Sequence, residues 1–191
     1  RRIIALAQDF RDEHDGFVYG LPEWQRERIR TARRIANPGC FATAIQLALL
    51  PLAAAGLLQD DVHVTAVTGS TGAGVKPSAT THFSWRTANL SVYKAFTHQH
   101  LLEIGRNLRH LEPAFDHEIH FVPMRGDFAR GILASVHTRC HLAAEEARRP
   151  YADYYAHSPV PHAADGAPAL TQVVHTTTAP RNSPPPRALP P

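Results

Sequence analysis

Asn37-Pro38-Gly39-Cys40-Phe41-Ala42-Thr43 is the stretch of this 191-residue chain whose residue types and order could do chemistry. Pro38-Gly39 predicts a sharp turn, and a glycine there lets the backbone pass close to a ligand. The almost wholly apolar run from Phe41 to Leu58 follows, with Cys40 at the first turn of the helix it predicts. A helix start presents unpaired amides and a partial positive charge. These lower a thiol pKa from about 8.5 toward neutrality, so that more thiolate is present. The same amides can cradle the oxyanion of a tetrahedral adduct. On the turn and the helix start alone, two readings stand level: a nucleophile, or an inert buried cysteine, the commoner fate of a free thiol. A nucleophile also needs a base. His98-Gln99-His100 followed by Glu103 is the candidate group. His100 and Glu103 are spaced to share a helix face, and a carboxylate so placed can orient an imidazole and set its tautomer. Taken alone, these would read as surface histidines at a helix start.

Other chemistries are weaker in this sequence. Gly69-Ser70-Thr71-Gly72-Ala73-Gly74-Val75-Lys76 has Val75 between the last glycine and the lysine, which breaks a phosphate-loop pattern, and Lys76-Pro77-Ser78 stops any following helix. It reads as a tight loop, with a share in the wall of the site as the lesser alternative. The chain has 13 histidines, but His98-x-His100 is only a pair, and catalytic zinc needs three convergent protein ligands, so no metal site is assigned. A net charge of +3 is too small to argue for nucleic acid, and no basic run carries interleaved aromatics. Two cysteines build no disulfide framework, which points to a reducing, cytoplasmic setting. The run from Phe41 to Leu58 comes close to the roughly 20 residues a membrane span needs, but Thr43, Gln46, Pro51, Gly56 and its alanines suit a tightly packed core helix better.

The elements that must position these residues alternate irregularly. Strands are expected at residues 3–8, at Val62 to Val67 from alternation and β-branching, at Glu118 to Pro123 and at Gly131 to His141. Ser91 to Phe96 reads as a strand or extended loop. Helices are expected near Trp24 to Arg34, over Gln99 to Leu111, and over Ala143 to Tyr155 with Pro150 dividing it. Residues 9–23 read as a loop with a turn at Gly20 to Glu23. Strands that follow one another without a helix between each pair favour an α+β or mixed-sheet domain over a pure doubly wound sheet.

Four stretches, in this order, resemble the N-acetyl-γ-glutamyl-phosphate reductases of the semialdehyde dehydrogenase superfamily. They are Asp9-Phe10-Arg11 with Tyr19-Gly20-Leu21-Pro22-Glu23; Asn37 to Thr43; Ser91-Val92-Tyr93-Lys94-Ala95-Phe96 leading into His98 to Ile104; and Val122-Pro123-Met124-Arg125-Gly126-Asp127-Phe128-Ala129-Arg130-Gly131-Ile132. The resemblance implies an α/β chain: a substrate and dimerisation domain of α+β type, its mixed sheet covered by helices on one face, with a remnant of a Rossmann domain. It implies that the Cys40 thiolate attacks an acyl phosphate, phosphate leaves, and NADPH reduces the thioacyl enzyme to an aldehyde, a step of arginine biosynthesis. A histidine of the His98/His100 pair would be acid and base, with His100 favoured because Glu103 can support it. Arg130 and Arg125 would hold substrate carboxylate or phosphate, since guanidinium binds such groups bidentately, and Asn37 would join them. Gly39, Gly72 and Gly74 would lie against NADP(H). The family pairs into homo-oligomers through its substrate-domain sheet.

The same resemblance divides the chain into residues 1–36 as the Rossmann remnant, 37–174 as the catalytic domain, and 175–191 as a proline-rich disordered tail. It leaves the glycine-rich dinucleotide fingerprint of the family without a counterpart before Arg1. An inactive remnant is therefore the alternative from another class. Sister reductases for N-succinylglutamyl, aminoadipyl or aspartyl phosphate are alternatives within the same chemistry.

Overall fold

The structure, a computed structural model, describes residues 1–164, 166–174, 176 and 179–181. Its first part is a small parallel sheet of β1 (Ile3–Ala5), β2 (Val18–Tyr19) and β3 (Arg34–Ala36), ordered β1-β3-β2, with helix α1 (Pro22–Thr31) between β2 and β3. Ile4 of β1 and Val18 of β2 both pair with Ile35. The turn expected at Gly20 to Glu23 is the start of α1 instead. Pro22 sits in the first helical turn, where its missing N–H is no loss and its fixed φ is already helical.

Helix α2 (Cys40–Ala54) follows a Gly39 cap in extended conformation. It runs through Pro51, a residue that should break it. Proline has no N–H to donate to the Leu47 carbonyl four residues back. The hydroxyl of Tyr155 donates to that carbonyl at 2.8 Å, and the Tyr151 hydroxyl donates to the Ala48 carbonyl at 2.7 Å. A tertiary contact thus replaces a helical bond, and the helix stays whole.

The main sheet combines β4 (Val62–Thr68), β5 (Ser91–Val92), β6 (Ile119–Arg125) and β7 (Ile132–His137) in the order β5-β6-β4-β7. The short helix α3 (Phe83–Arg86) lies between β4 and β5, and α4 (His100–Leu111) between β5 and β6. The β4–β6 pair is parallel and the β4–β7 and β5–β6 pairs are antiparallel, so the sheet is mixed. Along β4, Val62, Val64, Ala66 and Thr68 are buried while His63 and Thr65 are exposed. The buried side meets α2 and α4 in a core of Phe41, Ile45, Leu49, Ile104, Leu108 and Phe121. A second cluster of Tyr19, Leu21, Leu47, Leu50 and Tyr155 joins the small sheet to another face of α2. Burial on both sides explains why the run after Cys40 lacks a polar face.

The helix expected over Ala143 to Tyr155 is split. A 3-10 turn, Glu146–Arg148, leads into α5 (Arg149–Tyr154), with Pro150 in its first turn. Strands β8 (Pro161–Ala163) and β9 (Ala179–Arg181) pair in parallel. The tail expected over 175–191 lies outside the described residues except at Thr176 and 179–181. Among the described residues no helix is long and apolar enough to cross a membrane.

Candidate active site

Cys40 is the first residue of α2; the residue as a whole is exposed, while its thiol is partly shielded by the surrounding protein. Gly39 before it has φ −66° and ψ 146°, a conformation open to any residue. Its lack of a side chain is a matter of space. A Cβ there would stand 2.5 Å from Glu103 Oε1 and 2.6 Å from His100 Cδ2, and closer still to His100 Nε2. The cysteine turn is thus pressed directly against the start of α4.

Glu103 is buried and fully engaged. Its Oε2 accepts from the Tyr19 hydroxyl at 2.7 Å and from the Gly39 amide at 3.1 Å. Its Oε1 accepts from Arg11 Nη1 at 3.1 Å, while Arg11 Nε donates to the Asn37 carbonyl at 2.9 Å. His100 Nε2 lies 3.9 Å from Oε1, within ion-pair reach but too far for a hydrogen bond. Helical spacing does place His100 and Glu103 on one face. The expected support of His100 by a hydrogen bond is nevertheless absent, because Arg11, Tyr19 and Gly39 take the carboxylate.

The two histidines form a buried pair with rings 4.5 Å apart and steeply inclined. The His100 amide donates to His98 Nδ1 at 3.2 Å, so a neutral His98 carries its proton on Nε2. Phe41 meets both rings edge-on, and Tyr93 and Phe121 border His98. Burial, reinforced by nearby cationic groups, pushes both imidazoles down to about 4. Both are therefore neutral near pH 7; the Nδ1 lone pair of His98 is taken by the His100 amide, which leaves His100 as the one able to accept a proton.

The thiol corrects one expectation. Burial pushes the Cys40 pKa up, outweighing the Phe41 and Cys40 amides that pull it down. The helix start acts in the expected direction, but desolvation of the thiolate by the surrounding protein is larger. A raised pKa favours the thiol over the thiolate near neutral pH.

The remaining candidates divide. Cys40, Gly72 and Arg130 line one cleft of about 1710 Å³ together with Thr43, Thr68 and Gly131. Arg125 approaches from β6, its guanidinium 4.4 Å above the Tyr93 ring. Burial raises the Tyr93 pKa, and the Arg125 guanidinium beside it pulls the other way. Asn37 is exposed, with its Nδ2 donating to the Pro38 carbonyl at 3.2 Å. Gly74, at φ +81°, does not line the cleft. The glycine-rich turn is pinned to the loop after β6 by Ser70 N–H on the Phe128 carbonyl at 2.7 Å and Thr71 N–H on that of Ala129 at 3.3 Å. A Cβ on Gly69 would meet Arg130 N at 2.7 Å, which makes this segment a tight loop. Among the described residues, Asp60, Asp61 and His117 could share a metal ion, but Asp61 is already occupied by the Glu118 amide and faces His120.

Residues 40–180 match the family model described as semialdehyde dehydrogenase, dimerisation domain. The chain belongs to that family. It is 54% identical over 178 residues to proteins named N-acetyl-gamma-glutamyl-phosphate reductase from Parabacteroides distasonis and Bacteroides thetaiotaomicron, covering 92% of this chain and 55% of each relative. The chain therefore spans about half the length of these curated relatives. Its fold is shared with solved aspartate semialdehyde dehydrogenases. That from Francisella tularensis has a TM-score of 0.69 at 10% identity, covering 94% of this chain and 64% of that one. That from Candida albicans, solved with NADP, has a TM-score of 0.57 at 14% identity, covering 78% of this chain and 48% of that one. The mixed α/β fold expected of the family is thus the one observed.

The three glycines expected against NADP(H) lie in different surroundings, and Gly72 alone of them lines the cleft beside Cys40. Gly39 has its amide on Glu103 and no room beside its Cα, a Cβ at Gly72 would stand 3.3 Å from Thr68 Oγ1, and Gly74 lies outside the cleft lining.

Arg11, Tyr19, Gln46 and Asn107 carry no site role that residue type and spacing alone would show. The first two fall inside a stretch that carried the resemblance, the available signal. Gln46 and Asn107 are polar positions buried between α2 and α4.

Proposed function

We propose that this chain is the catalytic part of an N-acyl-γ-glutamyl-phosphate reductase, with N-acetyl-L-glutamyl 5-phosphate as substrate and Cys40 as nucleophile. The observation that carries it is a cysteine on an exposed helix start, backed by two neutral histidines and sharing its cleft with Arg130, in a chain 54% identical to reductases of that name. Cys40 Sγ adds to the acyl carbon as its proton passes to the imidazole of His100. The oxyanion meets the Cys40 and Phe41 amides, because the Gly39 amide is held by Glu103. The C–O bond to phosphate then breaks and a thioester remains on Cys40. Arg125 and Arg130 counter the phosphate and carboxylate charges. Reduction of that thioester to N-acetyl-L-glutamate 5-semialdehyde, within arginine biosynthesis, needs a hydride. NADPH is its source in the whole protein, and no described residue is assigned to hold it.

The relatives favour this substrate over aspartyl phosphate, since likeness to the aspartate enzymes is at the level of fold. Residues 1–36 are proposed to belong with the cofactor-binding unit. The test is trapping. In the full-length protein, incubation with acyl phosphate in the absence of reductant should add one N-acetylglutamyl group to the Cys40 peptide by mass spectrometry, and Cys40→Ser should add none. His100→Ala should lower turnover by about 10²–10⁴-fold, the range for a lost acid–base group, and His98→Ala by less. Labelling that survives Cys40→Ser would overturn the assignment.

A further inference from the structure

Five side chains form one directed chain of donors from a cation to a carboxylate. Arg106 Nη2 donates to Asn107 Oδ1 at 2.9 Å, and Asn107 Nδ2 donates to Gln46 Oε1 at 2.7 Å. Gln46 Nε2 donates to the Tyr19 oxygen at 2.8 Å, and Tyr19 donates to Glu103 Oε2 at 2.7 Å. Each orientation is set by the one before. The guanidinium can only donate, so the Asn107 oxygen must face it and the Asn107 nitrogen must face Gln46. Gln46 then has only its nitrogen for Tyr19, and the single hydroxyl proton of Tyr19 is left for Glu103. Tyr19, Gln46, Asn107 and Glu103 are all buried, so no bulk water competes.

The far end of this chain sits between the two halves of the site. Glu103 Oε2 carries both Tyr19 and the Gly39 amide, while Oε1 stands 3.9 Å from His100 Nε2. A rotation that brought Oε1 about 1 Å closer would make an imidazole–carboxylate hydrogen bond. We propose that Tyr19 is a positioning residue: held by Gln46 and Asn107, its hydroxyl anchors Glu103 on the cysteine turn and withholds that carboxylate from His100. This assignment takes its meaning from the Cys40 site proposed above, but the titration of His100 reads it independently.

The charged and titratable groups around His100 are Glu103 on its own helix, His98 and Lys94 on the segment before it, Arg11 from the N-terminal loop, and Cys40 at the start of α2. Arg11 and Lys94 disfavour the imidazolium. Glu103 alone among these neighbours would favour it as a carboxylate in hydrogen-bond contact. The prediction follows for the 191-residue chain, with ring signals followed by NMR titration and His100 identified through His100→Gln. Tyr19→Phe should raise the His100 midpoint by about one pH unit or more, the effect of a newly hydrogen-bonded carboxylate. The same change made in Glu103→Gln should leave the midpoint where Glu103→Gln alone puts it. A Tyr19 that merely fills space would lower the melting temperature on loss of its hydroxyl but move no midpoint. An unmoved His100 in folded Tyr19→Phe overturns the inference, as does a shift that persists without the Glu103 carboxylate. Should Tyr19→Phe fail to fold, Asn107→Ala frees the Gln46 amide. It should shift His100 the same way by less, and no shift there overturns the inference equally. Failure to trap an acyl group on Cys40 would sink the proposed function and leave this titration result standing.

Discussion

Gly39→Ala is the sharpest test of how the site is assembled. The backbone at Gly39 suits alanine, so no conformational strain enters. The added methyl would meet Glu103 Oε1 at 2.5 Å and His100 Cδ2 at 2.6 Å, where ordinary contact begins near 3.4 Å. Relief requires both buried side chains to move by about 1 Å, since van der Waals repulsion is steep at these separations. Overpacking of this kind costs about 1–3 kcal/mol, and a charge-assisted bond to Glu103 lost in the move costs about 1.5–3 kcal/mol. These overlap, so a loss of about 2–4 kcal/mol is expected, or a melting temperature lower by about 4–16 °C for a chain of this size. Thermal unfolding followed by circular dichroism measures it, with histidine NMR to show that His100 has moved. Gly72→Ala is the matched control. Its new methyl would meet only Thr68 Oγ1, at 3.3 Å, and should change stability by less than about 1 kcal/mol. A Gly39→Ala protein that melts within about 1 °C of the parent, with His100 signals unmoved, would refute the account of glycine as a spacer.

Two further outcomes are expected. Tyr155→Phe removes the donor to the Leu47 carbonyl, which Pro51 cannot serve, and should cost about 1–3 kcal/mol. Pro51→Ala in that background should recover most of the loss, whereas Tyr151→Phe should cost less, because the Ala48 carbonyl keeps the Leu52 amide; equal losses without rescue on chemical denaturation would contradict this. Stability should also fall with acid between pH 6.5 and about 4, because folding holds His98 and His100 neutral while the unfolded chain protonates them near 6.5. Each depressed imidazole contributes stability at pH 7 that is lost toward its folded value, about 2 kcal/mol apiece by pH 5. Urea titrations at pH 7 and 5 measure the slope, which should flatten when both residues are glutamine.

The long, strongly patterned elements were legible in the sequence alone. The apolar run after Cys40, the alternation of Val62 to Val67 and the helical spacing of Leu101, Leu102, Ile104 and Leu108 each encode local geometry, and each element appears within a few residues of its expected place, although Leu102 faces solvent. Cys40 at a helix start follows from Pro38-Gly39 and that run. Strands β2 and β3 could not be read, since two or three residues show no period; β3 owes its place to pairing with both β1 and β2, and β2 to pairing with β3. Other outcomes were decided by contacts that local pattern does not encode. The role of Glu103 was set by Tyr19 and Arg11, 84 and 92 positions away, which took a carboxylate that helical spacing had offered to His100. The continuity of α2 through Pro51 depended on Tyr155, 108 positions from the carbonyl it serves. The thiol went the same way. Its own amides lower the Cys40 pKa as a helix start must, but the protein folded around it desolvates the thiolate, and that burial exists only once the chain is packed.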